Sequence, residues 1–135
     1  MTDGRRVAIG DELDVVTARQ AGRELAAKLG FTTIDQTLIA TAISEIARNI
    51  VVYAQSGEVA LREIRDELGR RGIEVTASDR GPGIADIELA LRDGFSTKNS
   101  LGLGLPGARR LMDELAVDST LGHGTTVTMK KWLRR

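Results

Sequence analysis

The 135-residue chain has no cysteine. Disulfides and thiolate metal sites are therefore excluded. Its one histidine, His123, rules out zinc held through several imidazoles. Aromatic residues are scarce: one Trp, one Tyr and two Phe leave few platforms for stacked bases. An excess of either charge is also missing, since 19 basic and 19 acidic residues cancel. No basic field is available to hold a phosphate backbone or an anionic membrane. Neither nucleic acid nor a membrane is expected as a partner. Residues 1–10 are polar and lack the apolar core of a signal segment. No apolar run approaches the roughly 20 residues of a membrane span, so a soluble, cytoplasmic protein is expected. The length points to one domain over residues 1–135, able to bury roughly two-thirds of its unfolded surface.

Periodicity supplies the elements. Arg6 to Ile9 reads as a short strand, and Asp14 to Leu29 as a helix stopped by Gly30. Thr33 with Gln36 is a capping-box signal for a second helix running to about Ala54. That helix carries Ile39, Ala42, Ile43, Ile46 and Ile50 on one stripe. Glu58 to Ile64 and Gly72 to Ser78 read as strands. In the second of these, Ile73, Val75 and Ala77 face one way, and Glu74, Thr76 and Ser78 the other. A short helix is expected over Asp86 to Leu91, and another over Leu105 to Leu115 with Pro106 in its first turn. Strands Ala116 to Thr120 and Thr125 to Trp132 close the chain. Connections of a few residues between strands demand antiparallel neighbours. The expected fold is α+β in two layers, with helices on one face of a mainly antiparallel sheet.

Three polar segments stand out against this frame. Glu45 and Asn49, four apart, share a helical face about 90° from the apolar stripe. The carboxylate can take a proton from an attacking hydroxyl, and the amide oxygen can hold Mg²⁺. An ordinary solvated pair fits the same spacing. Asp79 continues the parity of Ile73, Val75 and Ala77, so it needs partners, and an exocyclic amine such as that of adenine would serve. Gly81 and Gly83 then let backbone approach a flat ligand closely, although Asp79 to Gly83 is also plain turn chemistry. Gly102, Gly104 and Gly107 match G-x-G-x-x-G, but a polar loop precedes them and a helix and hairpin follow. The dinucleotide fingerprint needs a buried strand before it and a βαβ unit around it, and is rejected. What remains is a glycine loop opening a helix, either a phosphate cradle or a simple helix entry. Lys98 adds a point charge to the cradle reading. Thr125 shares the inward parity of Val127 and Met129, and serves either a ligand or a local backbone group. Phe95 is expected to pack the loop onto the core, and His123 receives no role.

Taken in order, these segments resemble the GHKL ATPase superfamily. Glu45 to Asn49 is similar to its N-box and Asp79 to Ile84 to its G1 box. Phe95 to Leu105 is similar to its ATP lid and G2 box, and Gly124-Thr125-Thr126 to its last glycine-threonine box. Within it, Ile43 to Ile50, Leu105 to Glu114 and Lys131-Trp132-Leu133 resemble the RsbT-type serine/threonine switch kinases of the bacterial stressosome. The resemblance implies a Bergerat fold, with ATP and Mg²⁺ as cofactors. It implies phosphoryl transfer to a Ser or Thr of a STAS-domain partner, followed by activation of a PP2C-type phosphatase in a stress-response sigma-factor pathway. Carried over, Glu45 is the general base and Asn49 the Mg²⁺ ligand. Asp79 reads adenine with room given by Gly81 and Gly83, and Thr125 supports that end. Lys98, Gly102, Gly104 and Leu105 line the phosphates. The alternative is an ATP-gated anti-sigma factor or another non-enzymatic binding module.

Overall fold

The computed structural model describes residues 4–81 and 104–134. Its elements are β1 (Gly4–Ile9), α1 (Glu12–Leu29), α2 (Thr33–Asn49), a π-helical turn (Ile50–Ala54), β2 (Gly57–Arg65), β3 (Arg71–Asp79), α3 (Gly104–Leu111), β4 (Glu114–Thr120) and β5 (Gly124–Trp132). The strands form one sheet in the order β1-β2-β3-β5-β4, with every neighbouring pair antiparallel. Strand β4 thus runs in the same sense as β3, and α3 lies on the crossover between them. This is the α+β architecture expected from the alternation.

The core sits between one sheet face and the helices. Val7, Ile9, Val59, Leu61, Ile73, Val75, Val127 and Met129 line the inner sheet face, and all are buried. Against them pack Val15, Ala18 and Ala21 of α1 and Ile39, Ile43 and Ile46 of α2. The outer face carries cross-strand ion pairs such as Arg62–Glu74 at 2.6 Å. The helix from Thr33 through the π turn to Ala54 spans 22 residues and is long and apolar enough to cross a membrane, contrary to the reading of the sequence. Its apolar stripe is nonetheless occupied by the core, where Ile39 and Ile43 are both 0% exposed.

Helix boundaries differ from the periodicity in instructive ways. Helix α1 begins earlier, because Asp11 caps it by accepting from the Asp14 N–H, while Asp14 accepts from the Asp11 and Gly10 N–H groups. The cap of α2 is Thr32, not Thr33: its hydroxyl accepts from the Asp35 N–H, and Gln36 donates to the Phe31 carbonyl. Helix α3 stops at Leu111 instead of Leu115. The buried Lys131 ammonium donates to the Leu111 carbonyl at 2.9 Å and satisfies that helix end. Asp113 then accepts from the Trp132 N–H and donates its own N–H to the Lys130 carbonyl, which draws the chain into β4. The helix expected over residues 86–91 and the packing of Phe95 lie outside the described residues.

Gly22 of α1 lies against Ile43 of α2. A Cβ there would lie 2.1 Å from Ile43 Cδ1 and 3.4 Å from Leu61 Cδ2. Overpacking of this kind costs about 1–3 kcal/mol, against about 1 kcal/mol gained from helix propensity. Gly22→Ala is therefore expected to lower stability in urea unfolding. Adding Ile43→Val, which removes the clashing carbon, should recover part of the loss. A double variant no more stable than Gly22→Ala alone would contradict this packing.

Candidate functional site

Strand register builds one end of the site. Gly57, Asp79, Thr125 and Ser119 stand side by side across β2, β3, β5 and β4. Asp79 Oδ1 accepts from the Gly81 N–H at 2.8 Å and from the Thr125 N–H at 3.2 Å. Both bonds fall on the same oxygen, and among the described residues no donor reaches Oδ2. The carboxylate is thus clamped by its own turn and by the neighbouring strand, with one oxygen left for a ligand. The turn is tight. A Cβ on Gly81 would lie 2.6 Å from Ala54 Cβ, so the glycine rests on the end of the π turn. Gly124 has a φ of +102°, and a Cβ there would lie 2.1 Å from the Asp79 carbonyl oxygen. Only glycine fits at either point.

The second group lies on α2. Glu45 and Asn49 are half-buried at the rim of the apolar stripe. The Glu45 side chain is 15% exposed and lies 3.5 Å from the Arg48 guanidinium. Arg48 also binds Glu12 of α1 at 3.2 Å. Burial raises the pKa of Glu45 above the ordinary carboxylate value, and the Arg48 charge opposes that shift. The ionised form is thereby penalised in the fold. The penalty is present above the raised pKa and is relieved as the pH falls through it. A raised pKa suits a group that must accept a proton near neutrality.

The π turn joins the two groups. It begins directly after Asn49 and ends at Ala54, which touches Gly81. Its last step is Gln55 at φ 73°, the one non-glycine residue with positive φ among those described. Single π turns inside helices often mark functional sites. Helix α3 packs against α2 and opens at Gly104. Leu105 is 7% exposed and its side chain belongs to the core, so only its backbone N–H is suited to meet a phosphate. Gly83, Lys98 and Gly102 lie outside the described residues.

Among the described residues, no group of three or more His, Cys, Asp or Glu side chains could form a cation cage. The Asn49 amide oxygen and the Glu45 carboxylate are nevertheless hard oxygen donors on one half-buried face. That set fits Mg²⁺, which takes one or two protein oxygens and completes its shell with water and substrate phosphates.

Arg48 and Ser119 border the site and received no role from motif reading, and Gly124 stood in the glycine-threonine box without one. Arg48 stands three residues after Glu45, a spacing visible in the sequence. Ser119 has the inward parity of Leu115 and Val117, the same signal that singled out Asp79.

Comparison with known proteins places this geometry. The profile of the histidine kinase-like ATPase domain family matches residues 11–131. The chain is 50% identical over 134 residues to Serine/threonine-protein kinase RsbT of Bacillus subtilis strain 168, covering 99% of this chain and 100% of that protein. It is 34% identical over 121 residues to an anti-sigma F factor of Caldanaerobacter subterraneus subsp. tengcongensis, covering 87% and 85% respectively. The solved RsbU and RsbW domains of Rv1364c from Mycobacterium tuberculosis match with a TM-score of 0.67 at 21% identity, over 98% of this chain and 33% of that one. At that identity the likeness is one of fold.

The opposing influences on Glu45 can be separated. Arg48→Gln removes the charge that favours the carboxylate, so the Glu45 pKa is expected to rise further. Carbon-13 NMR titration of the side-chain carboxyl measures it, and an unchanged or lower value would show that Arg48 does not act on Glu45.

Proposed function

The chain belongs to the histidine kinase-like ATPase domain family, and from that membership we propose a serine/threonine protein kinase that moves the γ-phosphate of ATP to a hydroxyl of a partner protein. The observation that carries this reading is a base-like carboxylate, Glu45, in a chain matching a serine/threonine kinase over its whole length. An amide alone would hold a metal without activating a hydroxyl.

The proposed roles draw on the family resemblance, and the clamped Asp79 and the half-buried Glu45 and Asn49 support them. Asp79 Oδ2 accepts the exocyclic amine of adenine while Oδ1 stays clamped by Gly81 and Thr125. The ring lies over Gly81, with Thr125 bordering it, and the likeness to the family gives Gly83 the same spacer role. Gly104 and Leu105 offer backbone N–H groups at the opening of α3, and the likeness to the family assigns Gly102 and Lys98 to the same phosphates. Glu45 accepts the proton of the Ser or Thr hydroxyl. The freed oxygen forms a bond to the γ-phosphorus, the bond to the β–γ bridging oxygen breaks, and ADP leaves with the electron pair. Asn49 holds Mg²⁺, which when bound neutralises charge on the phosphates. Positioning and charge neutralisation supply most of the acceleration in such transfers.

The acceptor is proposed to be a STAS-domain protein, with a PP2C-type phosphatase as the second partner in a stress-response pathway in the cytoplasm. This part rests on the likeness of residues 43–50, 105–114 and 131–133 to stressosome switch kinases. A second reading, an ATP-gated anti-sigma module, draws on the 34% identity to an anti-sigma F factor. It predicts a stable sigma-factor complex and no phosphoryl transfer.

Transfer of label from γ-labelled ATP to a STAS-domain substrate separates the two. Glu45→Ala is expected to bind ATP and lose transfer by at least two orders of magnitude, the usual worth of a general base. Undiminished transfer would remove Glu45 from the chemistry. In the wild-type protein the rate should fall as pH drops through the raised Glu45 pKa, because only the ionised form accepts a proton.

Asp79→Asn tests the base end. Its amide oxygen can keep the two backbone donors, which turns the NH₂ toward the ligand amine and sets donor against donor. ATP affinity should fall roughly ten- to a hundredfold by calorimetry, as for loss of a charged hydrogen bond. Equal affinity would refute the adenine assignment.

A further inference from the structure

Strand β5 carries a lysine where its inner face calls for an apolar side chain. Lys131 follows the inward parity of Thr125, Val127 and Met129 and is only 6% exposed. Its ammonium donates to the Leu111 carbonyl, at the end of α3, at 2.9 Å. The direction of this bond is fixed, because an ammonium cannot accept and a carbonyl cannot donate. The cation also meets the negative end of the helix dipole. A buried charge is costly to keep, so an apolar residue would serve better if packing were its only task.

What the lysine adds is a fixed point along the axis of α3. The helix has eight residues and spans about 12 Å, too short to be stable alone. Leu105 and Ala108, with Met112 just beyond the helix end, are buried in the core. Apolar contact is non-directional, so it resists lifting of the helix more than sliding along its axis. The bond from Lys131 to the terminal carbonyl resists sliding. The same strand also reaches the base end of the site, where Thr125 donates its N–H to Asp79. Strand β5 thus ties Asp79 and α3 to one rigid element. We propose that Lys131 is a positioning residue: it holds α3 along its axis and so sets how far the Gly104 and Leu105 N–H groups stand from Asp79, the distance that a bound nucleoside triphosphate has to bridge. The inference rests on the proposed function, which puts the base of ATP against Asp79 and its phosphates at the opening of α3.

Calorimetry with ATP and with adenosine, which has the base and ribose but no phosphates, tests the assignment. The wild-type protein is expected to bind ATP more tightly. In Lys131→Met, which keeps the apolar stem and loses the donor, ATP affinity should fall about tenfold, as for loss of one charged hydrogen bond, while adenosine affinity holds. Lys131→Gln, uncharged and one bond shorter, should narrow the ratio in the same direction even if the methionine variant folds poorly. Lys131→Arg, which keeps a charged donor, should retain most of the preference for ATP. An arginine variant as impaired as the methionine one would show that the bond to Leu111 is not what sets the distance. A merely structural role would weaken both ligands together, and such a result, or an unchanged ratio in the methionine or glutamine variant, would overturn the role of Lys131 while leaving the kinase reading intact. A wild-type protein that binds ATP no better than adenosine would instead refute the placement of the phosphates, and with it the proposed function.

Discussion

Burial of one stripe of α2 is the constraint on which the remaining structure depends. Ile39, Ile43, Ile46 and Ile50 are almost fully removed from water. At roughly 25 cal/mol per Å² of apolar surface, each such side chain contributes about 1.5–3 kcal/mol before entropy is counted. The stripe fixes the rotation of the helix, and that rotation sets Glu45 and Asn49 at its margin. A small turn of α2 would either drown the carboxylate in the core or release it to bulk water. Burial at this intermediate depth raises the pKa of Glu45.

The π turn carries that constraint to the sheet. Five residues separate Asn49 from Gln55, and Ala54 at their end supports Gly81. The helix face that holds a carboxylate and an amide is thus coupled to the turn that holds Asp79. Backbone donors from its own turn and from the neighbouring strand grip one oxygen of that carboxylate. The arrangement needs no conformational search to present its other oxygen. Preorganisation of this sort, with the cost of ordering met during folding, is what a nucleotide site requires.

Much of the molecule was legible from spacing. Alternation gave the inward set Ile73, Val75, Ala77 and Asp79 because a strand repeats every two residues whatever surrounds it. The α2 stripe was legible because a helix repeats every 3.6. The ends of elements were less so. Thr33 looked like a cap, yet Thr32 serves, and competition between adjacent capping residues is settled by how the preceding chain enters the helix. Leu115 looked helical, yet Lys131, twenty residues beyond Leu111, ends α3. The G-x-G-x-x-G spacing of Gly102, Gly104 and Gly107 was refused as a dinucleotide signal, and the antiparallel β4–β5 hairpin that follows α3 agrees with that refusal.

The sequence by itself determined which residues face inward, which segments turn and which polar groups must find partners, because these follow from local backbone periods and side-chain chemistry. It also carried the order of motifs that marks the family. The tertiary structure alone decided the partnerships. Arg48 meets Glu12 from 36 positions away, and Thr125 meets Asp79 from 46 away. Ser119 meets Thr125 only because β4 and β5 pair in one register out of several the hairpin could adopt. Such contacts depend on distances between segments remote along the chain. Those distances are set by the packing of the whole core, which no local pattern encodes.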